Sequence, residues 1–206
     1  MIEQRSQEWF KLRLGKVTAS RINHVITDKK NSISRAKYLR QLVDERLSQR
    51  VQLEKSTHDQ YLGRVREVEA KKLYAIEVSS VSECSFINHP LIKMSGASPD
   101  GLVGTEGQIE IKCPNKANHE KTINKKVVPK KYITQIQFQL AVTQRGWCDF
   151  VSYNPESLEK LFVMRVERDE KFISEIESKV NIFLEEAELT YQRIKKENAE
   201  ELYRFL

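Results

Sequence analysis

Ser98-Pro99-Asp100-Gly101-Leu102 and, after the turn Gly104-Thr105-Glu106-Gly107, Gln108-Ile109-Glu110-Ile111-Lys112-Cys113 decide how this chain is read. Gln108 to Cys113 alternates polar and apolar, as a half-buried strand must. Glu110 and Lys112, two apart, therefore share one face, while Ile109, Ile111 and Cys113 face the core. Pro114 stops the strand. Asp100 lies on the preceding strand, with nine residues between it and Glu110. A three-residue loop Thr105-Glu106-Gly107 with Gly107 left-handed pairs Gly104 with Gln108 and sets Asp100 opposite Lys112, which brings all three groups to one face. A two- or four-residue loop puts Asp100 on the other face, so the geometry predicts φ > 0 at Gly107.

Two clustered carboxylates repel unless a cation lies between them, and hard oxygen donors favour Mg²⁺ or Mn²⁺. Such an ion stabilises charge on a scissile phosphate and acidifies a water. Lys112 can orient or help deprotonate that water and stabilise the developing oxyanion. The outline is that of a phosphodiester-hydrolysing site. By itself the pattern has little specificity, because Pro-Asp-Gly is a common turn and Glu-x-Lys a frequent ion pair on a solvated strand.

Outward from this stretch, Ser6 predicts an N-cap for a helix over Gln7–Leu14 with Gly15 ending it, and Thr18 or Ser20 can cap a second. Apolar spacing predicts helices over 36–50 and 62–76, with a polar loop at 51–60. Val78–Val81, Cys84–Ile87 and Leu91–Ala97 read as strands. Residues 132–143 fit both periods: Gln135, Gln137 and Gln139 alternate as in a strand, yet the length and the Ile133, Ile136, Leu140 spacing favour a helix. Trp147–Tyr153 and Leu161–Val166 read as strands joined across Asn154-Pro155, and 169–203 as a long charged amphipathic helix.

The chain of 206 residues can bury one substantial core. It shows no linker, no repeat, no apolar run of membrane-spanning length and no signal-peptide pattern, so one cytoplasmic domain without a membrane partner is expected. Three cysteines, Cys84, Cys113 and Cys148, suit reduced buried thiols better than disulfides or a four-cysteine cluster. Thirty-five basic against 29 acidic residues give +6, which favours a polyanionic partner. Lys116–Lys131 carries the most uncompensated basic run and could line a nucleic-acid path or be a solvated loop.

The motifs, taken in order, resemble the phage lambda exonuclease or YqaJ viral recombinase family of the PD-(D/E)xK nuclease superfamily. The similarity runs through Trp9-Phe-Lys-Leu-Arg-Leu-Gly15, Val17-Thr-Ala-Ser20, Gly63-x-x-x-Glu67, Ser98-Pro-Asp-Gly-Leu102, Ile109-Glu-Ile-Lys-Cys-Pro114 and Gln135-Ile-Gln137. It implies a single α/β (α+β) domain over 1–206, with a central mixed sheet flanked by helices. It also implies Glu67 as a further acidic metal ligand beside Asp100 and Glu110, the main-chain carbonyl of Ile111 as another, and two Mg²⁺ ions with Mn²⁺ as a substitute. By the same resemblance Arg13, Ser20, Ser98 and Gln137 form a pocket for a 5′-phosphate, with one of the three alternating glutamines reaching the site.

The activity implied is processive 5′→3′ degradation of one strand from double-stranded DNA ends, releasing 5′-mononucleotides. A homotrimeric ring and a 3′ overhang passed to a phage single-strand annealing protein, in a phage- or prophage-carrying bacterium, belong to the same implication. A PD-(D/E)xK endonuclease and a non-catalytic DNA-binding recombination adaptor are the competing readings.

Overall fold

The computed structural model describes residues 2–27, 32–51 and 58–204. Helix α1 (Gln7–Arg13) begins where the Ser6 hydroxyl accepts the Trp9 N–H at 3.2 Å, and Gly15, at φ +65°, follows its end as expected. Strand β1 (Val17–Thr18) leads through a 3₁₀ turn (Ala19–Arg21) into α2 (Ile22–Val25). Neither Thr18 nor Ser20 caps this helix through its side chain: Thr18 flanks the 3₁₀ turn without a capping bond, and Ser20 lies inside it. Helix α3 (Ile33–Ser48) is capped by Ser32, and α4 (His58–Glu77) begins before the expected 62. The polar loop expected at 51–60 falls largely outside the described residues.

The three strands expected between 78 and 97 shrink to β2 (Ile87–Asn88) and β3 (Ser95–Ala97), with an isolated bridge between Ser82 and Leu102. Val78 and Ser79 instead donate to the Tyr74 carbonyl and extend the end of α4. Pro90 interrupts the rest, where His89 Nδ1 accepts the N–H groups of Leu91 and Ile92, both at 3.1 Å, and curls the chain into a turn. Strands β1, β3 and β2 form a small sheet in that order.

The main sheet has the order β4 (Gly101–Val103), β5 (Gly107–Lys112), β6 (Trp147–Tyr153) and β7 (Leu161–Glu167). Strands β5 and β6 run parallel and the outer pairings are antiparallel, so the sheet is mixed, as the fold class requires. The β4–β5 register pairs Val103 with Gly107 and Gly101 with Ile109. The loop is therefore Gly104-Thr105-Glu106, shifted by one residue, and Gly104 rather than Gly107 takes positive φ, at +53°. The loop keeps its odd length, so face parity survives, and the ladder extrapolates Asp100 to a place opposite Glu110 instead of Lys112. Gly107 is glycine for another reason: a Cβ there would stand 2.2 Å from the Trp147 ring.

Between β5 and β6 lie α5 (Lys116–Lys125) and α6 (Lys130–Thr143). The run expected to be path or loop is in large part a helix, started by Asn115, whose side chain accepts the Asn118 N–H. Helix α4 covers one face of the main sheet, where Ala70 and Tyr74 pack on Ile109, Ile111 and Val151. Helix α6 covers the other through Ile136, Leu140 and Ala141, against Cys148 and Phe150. Its remaining side, Phe138 and Val142, packs on Val17, Ala97 and Phe183 beneath the small sheet. A helix buried on both sides has no polar stripe, which is why its period was hard to read. Helix α7 (Glu170–Arg204) closes the second core through Ile176, Val180 and Phe183. The three cysteines are free, and burial pushes the Cys84 and Cys113 thiols up to about 11 and about 12. No helix among the described residues is long and apolar enough to cross a membrane.

Candidate active site

Strand β5 presents Glu110 and Lys112 toward α6, and the hairpin brings Asp100 beside them. Glu110 is buried, 2% exposed, and three donors hold its carboxylate. Gln135 Nε2 donates to Oε1 and Gln139 Nε2 to Oε2, each at 2.6 Å, and the Lys112 ammonium bonds Oε1. The amide behind is oriented in turn. Thr143 Oγ1 donates to Gln108 Oε1 at 2.8 Å, and Gln108 Nε2 reaches Gln139 Oε1 at 3.4 Å. This chain of amides turns the Gln139 NH₂ toward Glu110, so the carboxylate is fixed as an acceptor.

Asp100 is held differently. Its Oδ2 accepts the Ile111 N–H at 2.6 Å. Burial, with the charges of Glu110 and Glu67 nearby, raises its carboxyl well above the ordinary range, against the pull of Lys112. Burial opposes the charge on Lys112, but Glu110 and Asp100 outweigh it and hold the ammonium above the usual lysine range. Lys112 is thus a charged donor in this arrangement rather than a ready base.

Glu67 arrives from α4, on the opposite face of the sheet, and its Oε2 is bonded by Arg5 Nη2 at 2.8 Å. A cleft of ≈ 350 Å³ joins Arg5, Gly63, Glu67, Ile111 and Lys112. Among the described residues no three His, Cys, Asp or Glu side chains are already gathered as a metal cluster, since Glu67 is turned to Arg5 and Glu110 to its amides. The donor set nevertheless suits a hard divalent cation. It consists of carboxylate oxygens with a main-chain carbonyl at hand, around a half-buried Asp100 whose like-charged neighbours leave it short of positive charge.

A second constellation lies beside α1. Trp9 Nε1 donates to Ser98 Oγ at 3.0 Å, the Arg13 guanidinium lies 3.9 Å from the Trp9 ring centre, and Arg13 Nη2 reaches Ser20 Oγ at 3.4 Å. Arg13, Ser20 and Ser98 are therefore brought together, with Trp9 as the piece between them. Burial lowers the Arg13 pKa to about 10, and no carboxylate among the described residues pairs with it. The nearby Glu45 is taken by the Gly15 N–H and Gln41.

Gln137 is not part of either group. Its amide donates to the Glu167 carbonyl at 2.7 Å and accepts the Asp169 N–H at 2.9 Å, tying β7 to α7. Residues four apart share a helix face and residues two apart do not, so Gln135 and Gln139 turn to Glu110 together and Gln137 turns away. That spacing was the signal by which Gln139 could have been found. Arg5, Gln108 and Thr143 gave none, because their partners come from distant segments. Farther along, Lys121, Lys125, Lys130 and Lys131 rim a trough of ≈ 410 Å³ that opens beside Lys112 and Tyr132.

The YqaJ-like viral recombinase domain matches residues 8–146. No curated protein matches the chain. Among solved structures, LHK-Exo in complex with dAMP is similar at 42% identity and a TM-score of 0.89, over 95% of this chain and 99% of that one. The alkaline exonuclease LHK-Exo from Laribacter hongkongensis is similar at 42% identity over the same shares, with a TM-score of 0.88. A phage related exonuclease from Haemophilus somnus 129PT, 15% identical over 88% of this chain and 96% of that one with a TM-score of 0.62, shares the fold. The match spans more than half of the chain and agrees with the order of its motifs: the protein belongs to the YqaJ-like viral recombinase family.

Proposed function

We propose that this chain is a Mg²⁺-dependent processive exonuclease that degrades one strand of duplex DNA from its 5′ end, releasing 5′-mononucleotides and leaving a 3′ overhang for recombination by strand annealing. The observation that carries the reading is Asp100, bonded to the Ile111 N–H and set among the charges of Glu110, Glu67 and Lys112, the last two of which line an open cleft. Asp100, Glu110, Glu67 and the Ile111 carbonyl would hold the metal, two ions in the family pattern, with Mn²⁺ as a substitute. Bound there, a divalent cation neutralises the carboxylates, stabilises charge on the scissile phosphate and lowers the pKa of a water. Glu110 enters the reaction oriented by Gln135 and Gln139. Lys112 supplies a charged donor to the developing oxyanion.

The 5′ polarity rests on Arg13, a half-buried guanidinium with no carboxylate partner among the described residues, beside the Ser20 and Ser98 hydroxyls. A terminal phosphate there would meet a planar fork of donors. That LHK-Exo was solved with dAMP is in keeping with a nucleotide-binding site in this fold. The lysine-rimmed trough would carry the DNA backbone through salt-dependent contacts. A homotrimeric ring, a phage annealing partner and action in the bacterial cytoplasm complete the proposal.

A time course on linear duplex labelled separately at each end, with Mg²⁺, tests it beside a covalently closed circle. Loss of 5′ label as mononucleotide with the circle intact is expected, and Lys112→Ala should bind DNA without cutting it. Cutting of the circle would establish an endonuclease instead. No cleavage with either Mg²⁺ or Mn²⁺ would leave a DNA-binding adaptor.

A further inference from the structure

The segment ahead of α1 contains a backbone conformation that its sequence does not favour. Arg5 has φ +71°, a region that a residue with a Cβ seldom occupies. Among the described residues the other non-glycine residues with positive φ, Gln49, Lys126 and Gln144, each close a helix, where a left-handed residue is ordinary. Arg5 closes none. It is held there by its neighbours. Gln4 Nε2 donates to the carbonyls of Cys84 at 2.8 Å and Pro99 at 2.9 Å, and the Ser6 N–H donates to the Glu3 carbonyl at 3.3 Å. Pro99 adjoins Asp100, so this strap is fastened to the candidate site itself.

The conformation delivers the Arg5 guanidinium to Glu67, in the cleft that also borders Lys112. The pair is open to solvent, with side chains 45% and 23% exposed. Such a pair is weak and readily exchanged. Disfavoured backbone maintained by surrounding bonds is characteristic of functional sites. Lys112 is committed to Glu110; Arg64 also lines the cleft, and the Arg5 fork is the cation there that is bonded to Glu67.

We infer that Arg5 is an exchangeable counter-ion of the hydrolytic site: it holds Glu67 while no metal does, and it turns to a DNA phosphate in the same cleft once Glu67 takes the cation. This rests on the exonuclease reading above. Two consequences follow, and they have opposite signs. Without Arg5, Glu67 meets the metal without a competitor, so metal binds more tightly. DNA loses a charged phosphate contact and binds more weakly.

The experiment compares the full-length wild type with Arg5→Ala, Arg5→Lys and Arg5→Gly, the last of which relieves the positive φ. Mn²⁺ binding is measured by calorimetry without DNA, and binding of a 5′-phosphorylated duplex is measured against salt with Ca²⁺ as the cation. Arg5→Gly and Arg5→Ala are expected to bind Mn²⁺ about two- to fivefold more tightly. They should bind duplex about tenfold more weakly, with a salt slope smaller by about one. Arg5→Lys, which keeps the charge but not the fork, should fall between. Unchanged Mn²⁺ affinity in Arg5→Gly, or a parallel fall of both affinities, would overturn the inference. Wild-type cleavage of linear duplex separates the two levels. If the wild type neither binds Mn²⁺ nor cleaves, the exonuclease reading fails and this inference with it; if it does both and Arg5→Gly matches it, the inference alone fails.

Discussion

The carboxylate of Asp100 accepts the main-chain N–H of Ile111 at 2.6 Å, across the hairpin that joins β4 to β5. The bond fixes the side chain where Glu110 and Glu67 both repel it. Burial and these two charges raise the Asp100 carboxyl well above its unfolded value, so between the two values the folded chain binds the proton more tightly than the unfolded chain does. Stability from this group is therefore present at low pH and lost as pH rises through the folded pKa, because ionising it is unfavourable to the fold.

Asp100→Asn keeps an acceptor for Ile111 and removes the charge. In EDTA it is expected to raise Tm by a few degrees while abolishing cleavage. Adding Mg²⁺ should narrow or reverse the difference, since only the wild type gains from binding it. A variant less stable than wild type in EDTA would show that the like charges do not govern this position.

What the sequence disclosed of this site was its strand pair, because alternation along Gln108–Cys113 and an odd loop suffice to put Asp100, Glu110 and Lys112 together. Which glycine turns the hairpin was not legible. Gly104 and Gly107 both suit a turn, and the reason for Gly107 lies in Trp147, forty residues away along the chain. The strands over 78–97 were overread because Val78–Val81 has β-prone composition but sits on the end of α4, where helix hydrogen bonds persist. Arg13, Ser20 and Ser98 were found through the order of motifs, whereas their link through Trp9 is a tertiary fact. Glu67 was named as a site residue, but its bond to Arg5 had no sequence signal.

The glutamines of α6 provide a test within one helix. Gln139→Ala leaves Glu110 Oε2 and Gln108 Nε2 without their partners, so the carboxylate loses one of its two amide donors. Its kcat is expected to fall about tenfold or more, with a stability cost of about 1–3 kcal/mol. Gln137→Ala breaks the β7–α7 tie instead. It should cost comparable stability and leave the turnover of folded enzyme near wild type. Steady-state kinetics normalised to folded fraction distinguish them, and equal kcat losses in both variants would sink the assignment of separate roles.

The hairpin register makes opposite demands on its two glycines. An alanine Cβ at 107 would overlap the Trp147 ring, whose nearest atoms stand 2.2 Å away, whereas one at 104 meets nothing within 4 Å. Gly104→Ala therefore pays only for positive φ, about 1 kcal/mol. Gly107→Ala must displace a ring that also stacks under Arg165 at 3.5 Å, and about 2–4 kcal/mol is expected. Urea denaturation of the two variants ranks them. Were Gly104→Ala the more damaging, the close approach of the Trp147 ring would not be what keeps residue 107 a glycine.

His89 sets the acid side of stability. Two N–H groups, from Leu91 and Ile92, point at Nδ1, so the ring's proton is on Nε2 and donates to Glu177 Oε1 at 3.0 Å. Protonating Nδ1 would break both backbone bonds. Burial lowers the His89 pKa, against the pull of Glu177 and with Arg168 adding to the lowering. The unfolded chain thus takes up a proton as pH falls through about 6.5 while the folded chain does not until lower pH. Stability from this group is complete above about 6.5 and is lost from there downward. His89→Asn keeps a side-chain acceptor for the turn but cannot titrate. Its Tm should lie below wild type at pH 7.5, and the gap should narrow on acidification to pH 5.5. Thermal melts that stay parallel across this range would mean that the turn tolerates a charged ring and that the two backbone bonds to Nδ1 contribute little.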